Sequence, residues 1–357
     1  MTDMMSDRRQ VLTIKLRLRD RHAVELNRQA RAVHYVWNFC NETQKKAAQS
    51  KRKWLSAFDL QKLTNGASKD LGLHAHTIQR VCRAYDDARR VHKKAWLRWR
   101  GKKSLGWVPF NTGHVSFDGM AFKFNGASYR TMHLNPHLAV GVKIGAGSFN
   151  ADARGRWYLN LPVEVACADN APQSSVGIDL GLASLATLST GEKIAAPRFY
   201  RTSEEKLATA QRARKTQRVK NIHAKIVNRR KDFLHKASAM IAKEHGFIVI
   251  GDVSPSRIAQ TKMAKSVYDA SWSDLKRMLR YKSHLRAGEC IEVSERYTSQ
   301  TCSTCGSLPA SWPRGIAGLS KRVFDCIDCG AVLDRDHNAA INILRAGHRT
   351  LIGGAHV

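Results

Sequence analysis

Acidic residues are scarce in this chain of 357 residues: 29 Asp and Glu stand against 60 Lys and Arg, a net charge of +31. A surplus of that size repels itself unless a polyanion supplies the missing negative charge, which points to nucleic acid. Long apolar runs are missing too. No stretch of about 18 apolar residues is available to cross a bilayer, and residues 1–19 lack the continuous apolar core of a signal peptide. A cytoplasmic location is therefore expected, in the bacterial nucleoid if DNA is the partner. The positive charge is spread along the chain and not gathered on one amphipathic helix, which argues against a membrane partner. There is no internal repeat and no low-complexity tract. Hydrophobic residues nevertheless make up 43% of the chain, which excludes wholesale disorder, and the length calls for two or three domains.

The eight cysteines are unevenly placed. Cys40, Cys82, Cys167 and Cys290 are scattered; Cys302, Cys305, Cys326 and Cys329 are clustered. In a cytoplasmic chain that distribution favours a metal site over disulfides.

Residues 11–18 alternate apolar with basic side chains, the period of a strand. Residues 21–100 read as helical and very basic. Val33, Val36, Trp37 and Cys40 share one helix face, and Ile78, Val81, Cys82 and Tyr85 another, with Asn65-Gly66 breaking the two apart. Residues 101–172 change character: strand-like pieces at 115–117, 121–124 and 157–165 are separated by Asp118-Gly119, Asn125-Gly126 and Arg154-Gly155. This predicts a small antiparallel sheet or barrel, which the first strand could join, making the helices an insertion. A polar boundary at 171–175 precedes a buried strand at 176–179, a hairpin through Ser189-Thr190-Gly191 and a long helix over 203–244. A second buried strand (247–250), a helix (272–285) and a third strand (290–293) follow. Strands alternating with helices imply an α/β sheet.

Three motifs carry chemistry. Cys302-Ser-Thr-Cys305 and Cys326-Ile-Asp-Cys329 are each followed by glycine, Gly306 and Gly330. Two such knuckles complete a closed tetrahedral zinc site of structural type. In Val176-Gly-Ile-Asp179-Leu-Gly, an Asp at the end of a buried strand exposes a carboxylate at the edge where open α/β sheets place ligands. In Asp334-Arg-Asp336-His-Asn338-Ala-Ala-Ile-Asn342-Ile-Leu, one Asp can cap the helix at 338–344, but capping does not need both. His74, His76 and Gly145-Ala-Gly147-Ser read as ordinary polar and turn residues.

The order of these motifs, with Asn228-Arg-Arg-Lys-Asp-Phe-Leu-His235-Lys and Tyr297-Thr-Ser-Gln-Thr-Cys302 between them, resembles the TnpB (OrfB) family, transposon-encoded relatives of type V CRISPR effectors. The motifs span residues 176–344, half the chain. The resemblance implies a multidomain α/β plus α+β protein. A wedge-type β-barrel would occupy 1–29 and 101–171, with a helical recognition insertion at 30–100. An RNase H-like (RuvC) nuclease domain would occupy 172–300 and 331–347, with a zinc ribbon inserted at 301–330 and a tail at 348–357. It further implies a noncoding guide RNA, double-stranded DNA cut beside a short adjacent motif, two Mg²⁺ ions held by carboxylates, a monomer in the RNA complex and no small-molecule substrate.

Carried over residue by residue, the family's first acid falls on Asp179 and its third on Asp336. Its middle acid falls on Gly251, which cannot bind a metal. Three readings stay open. Glu295, just past the neighbouring strand, supplies the acid from a relocated position; or Asp252 substitutes, although successive strand residues face opposite ways; or the protein is a nuclease-dead, RNA-guided DNA-binding repressor. Glu295 is the favoured reading, Glu289 and Glu292 being less well placed. Phosphate and stacking partners are expected from basic, aromatic helices: Lys93, Lys94, Trp96, Arg98, Trp99 and Arg100 in one, and Arg212, Arg214, Lys215, Arg218, Lys220, Arg229 and Arg230 in the other.

Overall fold

The structure, a computed structural model, describes residues 8–253, 270–308 and 321–353. Parts of the expected wedge (1–7), nuclease (254–269), ribbon (309–320) and tail (354–357) regions lie outside the described residues. The chain divides into two compact units, Arg9–Val165 and Ala166–Val357 with Met1–Arg8.

In the first unit the alternating N-terminal segment forms β1 (Arg9–Arg17), burying Ile14 and Leu16. It pairs with β7 (Trp157–Ala166), which continues through β6 (Gly147–Ala151) to β2 (Trp107–Phe110). A second antiparallel sheet holds β3 (Ser116–Phe117), β4 (Phe122–Phe124) and β5 (Ala127–Tyr129). Asn125 and Gly126, both at positive φ, make the two-residue turn between β4 and β5. The described pairings are those of two sheets linked by a Leu18–Thr131 bridge. Between β1 and β2 the chain inserts α1 (Ala23–Gln49), α2 (Ala57–Leu63), α3 (Ala67–Leu71) and α4 (Ala75–His92). One apolar core joins helices and sheets, centred on Val33, Tyr85, Phe110 and Phe149.

The expected helix does not extend to residue 100. Lys93 adopts a left-handed conformation (φ 49°) and caps α4, and residues 93–106 run on as an irregular strap. Two asparagines one turn apart on α1 explain why. Asn41 accepts the Leu97 N–H (2.7 Å) and donates to the Leu97 carbonyl (2.9 Å). Asn38 does the same for Arg100, at 2.8 Å each way. These amides satisfy backbone groups that a helix would have paired internally.

The second unit is built on a five-stranded sheet in the order β10-β9-β8-β11-β12. β8 (Ser174–Leu180) is central, antiparallel to β9 (Ser184–Leu188) and parallel to β11 (His245–Gly251). β10 (Lys193–Ala195) closes one edge and β12 (Glu289–Val293), parallel to β11, the other. The expected single helix over 203–244 is two, α5 (Glu204–Arg212) and α6 (Thr216–Glu244), because Arg214 turns left-handed (φ 52°) between them.

The strand period sorts the sheet's faces. Val176, Ile178, Ile248 and Ile250 pack with Leu234 and Ile241 of α6 and with Leu275 and Leu279 of α7 (Trp272–Leu285). Gly177, Asp179, Val249 and Gly251 fall on the opposite face, which α8 (Arg335–Gly353) covers. A Cβ at Gly177 would lie 2.1 Å from the Ala340 carbonyl and 2.7 Å from the Leu344 amide. Only glycine admits the helix backbone this close. The hairpin β13 (Val323–Asp325) and β14 (Val332–Asp334) leads straight into α8. No described helix is long and apolar enough to cross a membrane.

Candidate functional site

Asp179, Gly251 and Glu295 lie at the carboxyl ends of the three parallel strands, and Asp336 lies in the first turn of the helix covering that face. Gly251 pairs in register with Val293, so Glu295 emerges beside it two residues later. The glutamate occupies the space of the missing side chain: a Cβ at Gly251 would meet Glu295 Oε1 at 2.1 Å, Cγ at 2.4 Å and Cδ at 2.6 Å. Glu295 Oε1 is buried with no hydrogen-bond partner. Burial first, and then Asp179, push the Glu295 carboxyl up to about 8, against the pull of Lys276. Burial and then Asp336 push Asp179 up to about 7, with Arg335 opposing. Asp179 thus stands between the other two, raised by Asp336 and raising Glu295. An orphaned buried carboxylate oxygen among mutually repelling acids is the signature of a site short of positive charge. The three acids are not all within 4.8 Å of one another, a closeness that only the cysteine quartet reaches among the described residues.

The two aspartates of the α8 motif divide the work. Asp334 accepts the His337 N–H (3.0 Å) as the helix cap and pairs with Lys193 (2.7 Å). Asp336 is left to the site, with Arg322 at 3.5 Å. Asp252 is exposed, and its carboxylate accepts the Glu295 backbone N–H (3.0 Å); it braces the chain carrying the glutamate. Glu292 is engaged by Lys276 (3.3 Å) and Arg280 (2.5 Å).

The cysteines form the second centre. Gly306 and Gly330, both at positive φ, donate to the carbonyls of Cys302 and Cys326 and close the two knuckles. Sulfur–sulfur distances are 3.7 Å for Cys302–Cys329 and for Cys305–Cys326. Four thiolates around zinc at about 2.3 Å stand about 3.8 Å apart, so the quartet fits that ion. Burial would raise the Cys302 thiol, but the N–H groups of Cys305 and Thr304 outweigh it and bring it to about 6, toward the thiolate that binds metal.

The sequence reading gave no role to Asn338 and Asn342, which tie the two centres together. Buried Asn338 accepts the Ser303 N–H (2.7 Å) and donates to the Thr301 carbonyl (2.8 Å). Asn342, one turn on, donates to the carbonyls of Thr298 (2.9 Å) and Thr301 (2.7 Å). Thr298 in turn donates its hydroxyl to the Glu295 carbonyl at 2.9 Å. The signal was in the sequence: two asparagines four apart on one face of an otherwise apolar helix.

Among the expected nucleic-acid contacts, Arg212, Arg214, Lys215, Arg218 and Lys220 are exposed around the α5–α6 break, Arg229 is exposed midway along α6, and Arg230 is half-buried. Lys93 to Arg100 belong to the irregular strap, with Trp96 44% and Trp99 45% exposed. His74 and His76, read as ordinary polar residues, stack with His114, ring centroids 4.3–5.3 Å apart.

Two family models match this half of the chain: one described as "Probable transposase" (OrfB, IS605 type) over residues 158–261 and one described as "Cas12f1-like, TNB domain" over residues 272–343. Over these residues the chain is similar to the TnpB (OrfB) proteins. A protein of Streptomyces pristinaespiralis, named "Putative RNA-guided DNA endonuclease", is 38% identical over 59% of this chain and 54% of its own length. One of Escherichia coli K12, named "Putative RNA-guided DNA endonuclease InsQ", is 30% identical over 57% of each. The chain thus spans about half the length of the curated relatives it matches. In fold it resembles the protein of a Cas12f1–sgRNA–target DNA complex, with TM-score 0.53 and 12% identity over 91% of this chain and 83% of that one.

Proposed function

We propose that the chain is an RNA-guided DNA endonuclease of transposon origin, cutting DNA beside a short adjacent motif, with Asp179, Glu295 and Asp336 as its catalytic acids. The observation that carries this reading is Glu295 filling the vacancy at Gly251 with a buried, partnerless carboxylate oxygen. A nuclease-dead repressor has no use for an acid held at such electrostatic cost. The sheet order and the direction of its strands fit a RuvC-like, RNase H-type domain, and the two sheets of the first unit fit a wedge domain carrying a recognition insertion at 30–100.

Asp179, Glu295 and Asp336 would hold Mg²⁺, and the orphaned Glu295 oxygen and the mutual repulsion of the acids suit that ion. Bound there, two such ions would activate a water and neutralise the leaving 3′-oxygen. The chain's own part is placement. Gly177 lets α8 bring Asp336 toward Asp179, Asp334 holds the helix end, and Asp252 fixes the backbone of Glu295. Cys302, Cys305, Cys326 and Cys329 would hold a structural zinc. The exposed cations around the α5–α6 break and along the strap would take phosphates of the guide RNA and its DNA target, with the protein acting as a monomer on that RNA.

The test is cleavage of a plasmid carrying a matched target, by protein isolated with its RNA and supplied with Mg²⁺. Asp179→Ala, Glu295→Ala and Asp336→Ala should each stop cutting and leave guided binding within about threefold, because binding rests on phosphate contacts and base pairing. Wild-type protein that binds the target but never cuts, whichever divalent metal is supplied, would put the repressor in its place.

A further inference from the structure

The first unit holds a groove of about 1120 Å³ along the strap, with Trp37 and Ala88 as its helical wall and residues 92–105 supplying the rest. Among the described residues that line it none is acidic, while Lys94, Arg98, Arg100, Lys102 and Lys103 all do. Arg100 is half-buried, its guanidinium 4.3 Å from the Trp37 ring centre and 5.2 Å from that of Trp107, and among the described residues no carboxylate pairs with it. Burial lowers its pKa. A cation taken partly out of water without a counter-ion calls for an anion. Beside it Trp96 and Trp99 leave nearly half their surface in solvent. The strap beneath them is pinned to α1. The amides of Asn38 and Asn41 hold its backbone at Arg100 and Leu97, and Trp37 Nε1 donates to the Arg98 carbonyl at 3.3 Å.

We infer that this groove holds an unpaired stretch of the guide RNA, with bases lying on Trp96 and Trp99 and phosphates against Arg100, Lys102 and Lys103. The inference rests on the nucleic-acid reading of the strap given above and deepens it. A duplex hides the faces of its bases, so it could use the cations but not the indoles; only unpaired nucleotides use both. The volume exceeds the roughly 300–1,000 Å³ typical of small-molecule pockets, which leaves room for more than one nucleotide. Indoles fixed on a pinned backbone lose little freedom when a base stacks on them. RNA is the occupant because, in the function proposed above, it is the nucleic acid the protein carries throughout, and so can cover an aromatic, uncompensated groove permanently.

The experiment uses the full chain stripped of RNA at high salt and titrated with an end-labelled eight-nucleotide oligouridine, the same-length DNA strand and a short RNA duplex, each read by fluorescence anisotropy. Trp96→Ala with Trp99→Ala should weaken the RNA strand about tenfold or more and the duplex less than about threefold. Phenylalanine at both positions should restore strand binding to within about threefold. Arg100→Gln should lower the slope of log affinity against log salt by about one phosphate contact. Alanine variants that lose strand and duplex equally, or lose neither, would overturn the groove while leaving the strap a phosphate-binding surface. Tighter binding of the DNA strand than of the RNA strand would overturn the choice of RNA. Binding of no probe would remove the nucleic-acid reading of the strap and this inference with it.

Discussion

Adding one methyl group at Gly251 should separate activity from folding. Gly251 is not at positive φ, so its backbone accepts alanine. The obstacle is Glu295, whose Oε1, Cγ and Cδ would lie 2.1–2.6 Å from the new Cβ. An ordinary contact needs about 3.5 Å, so the carboxylate must retreat by roughly 1 Å or more. Its side chain is flexible and ends at the site, so the retreat is cheap for the fold. The expected loss of stability is at the low end of overpacking costs, about 1 kcal/mol, or roughly 2–4 °C in Tm for a folding unit the size of the second one. For chemistry the same displacement is large, since a misplacement of about 1 Å can cost a hundredfold in rate. Gly251→Ala should therefore cut at least about a hundredfold more slowly under single-turnover conditions with excess Mg²⁺, while melting nearly as the wild type does. Gly251→Glu combined with Glu295→Ala clears the crowding, returns an acid to the strand end, and should recover part of the rate. If Gly251→Ala cuts as fast as wild type, Glu295 is not a catalytic acid and the vacancy argument fails.

The raised acids make a metal-free protein sensitive to pH. Because Asp179 titrates near 7 and Glu295 near 8, both well above unfolded carboxyls, their contribution is most favourable below about pH 4 and is lost as pH rises through 7 to 8. Mg²⁺ should consequently raise Tm by several degrees at pH 8 and by little at pH 5, and Asp179→Ala with Glu295→Ala should abolish the difference; an equal rise at both pH values would count against a cation site there. Cys302→Ser with Cys305→Ser should lose one zinc per chain by elemental analysis and lose cleavage with it, whereas full activity in zinc-free protein would refute a structural ion. Asn338→Ala strands the Ser303 N–H and the Thr301 carbonyl, so it should cost about 1–3 kcal/mol by denaturant titration and slow cleavage without releasing zinc; unchanged stability and rate would show that the tie is incidental.

Much of the second unit was legible because its signals are local or periodic. The two knuckles, the buried strands and the Asp at the end of β8 follow from spacing alone. Adjacency in the sheet, and the room a glycine leaves, made Glu295 a candidate for the acid missing at Gly251, and the structure gives the fit of its side chain in that vacancy. The strap was misread as helix because Lys93 to Arg100 carry good helix formers; the competing pull comes from Asn38 and Asn41, some sixty positions away, which no local pattern reveals. The break at Arg214 escaped notice for a similar reason, since a single left-handed residue leaves no composition signal. Gly177 reads in sequence as one more residue of a buried strand, yet its role is to admit a helix that arrives more than a hundred and fifty residues later.

The two knuckles also bear on chain statistics. Glu295 and Asp336 belong on one sheet face, yet the chain makes a long excursion between them. Closing so long a loop costs entropy that grows with the logarithm of its length. An ion clamping Cys302 and Cys305 to Cys326 and Cys329 would cut the excursion into two short links, residues 295–302 and 329–336, and Asn338 and Asn342 fasten the first of these to α8. The distance between the two acids then stops depending on how much chain lies between the knuckles. Insertions or deletions there should be tolerated by the acids, while a single residue added to either short link should not.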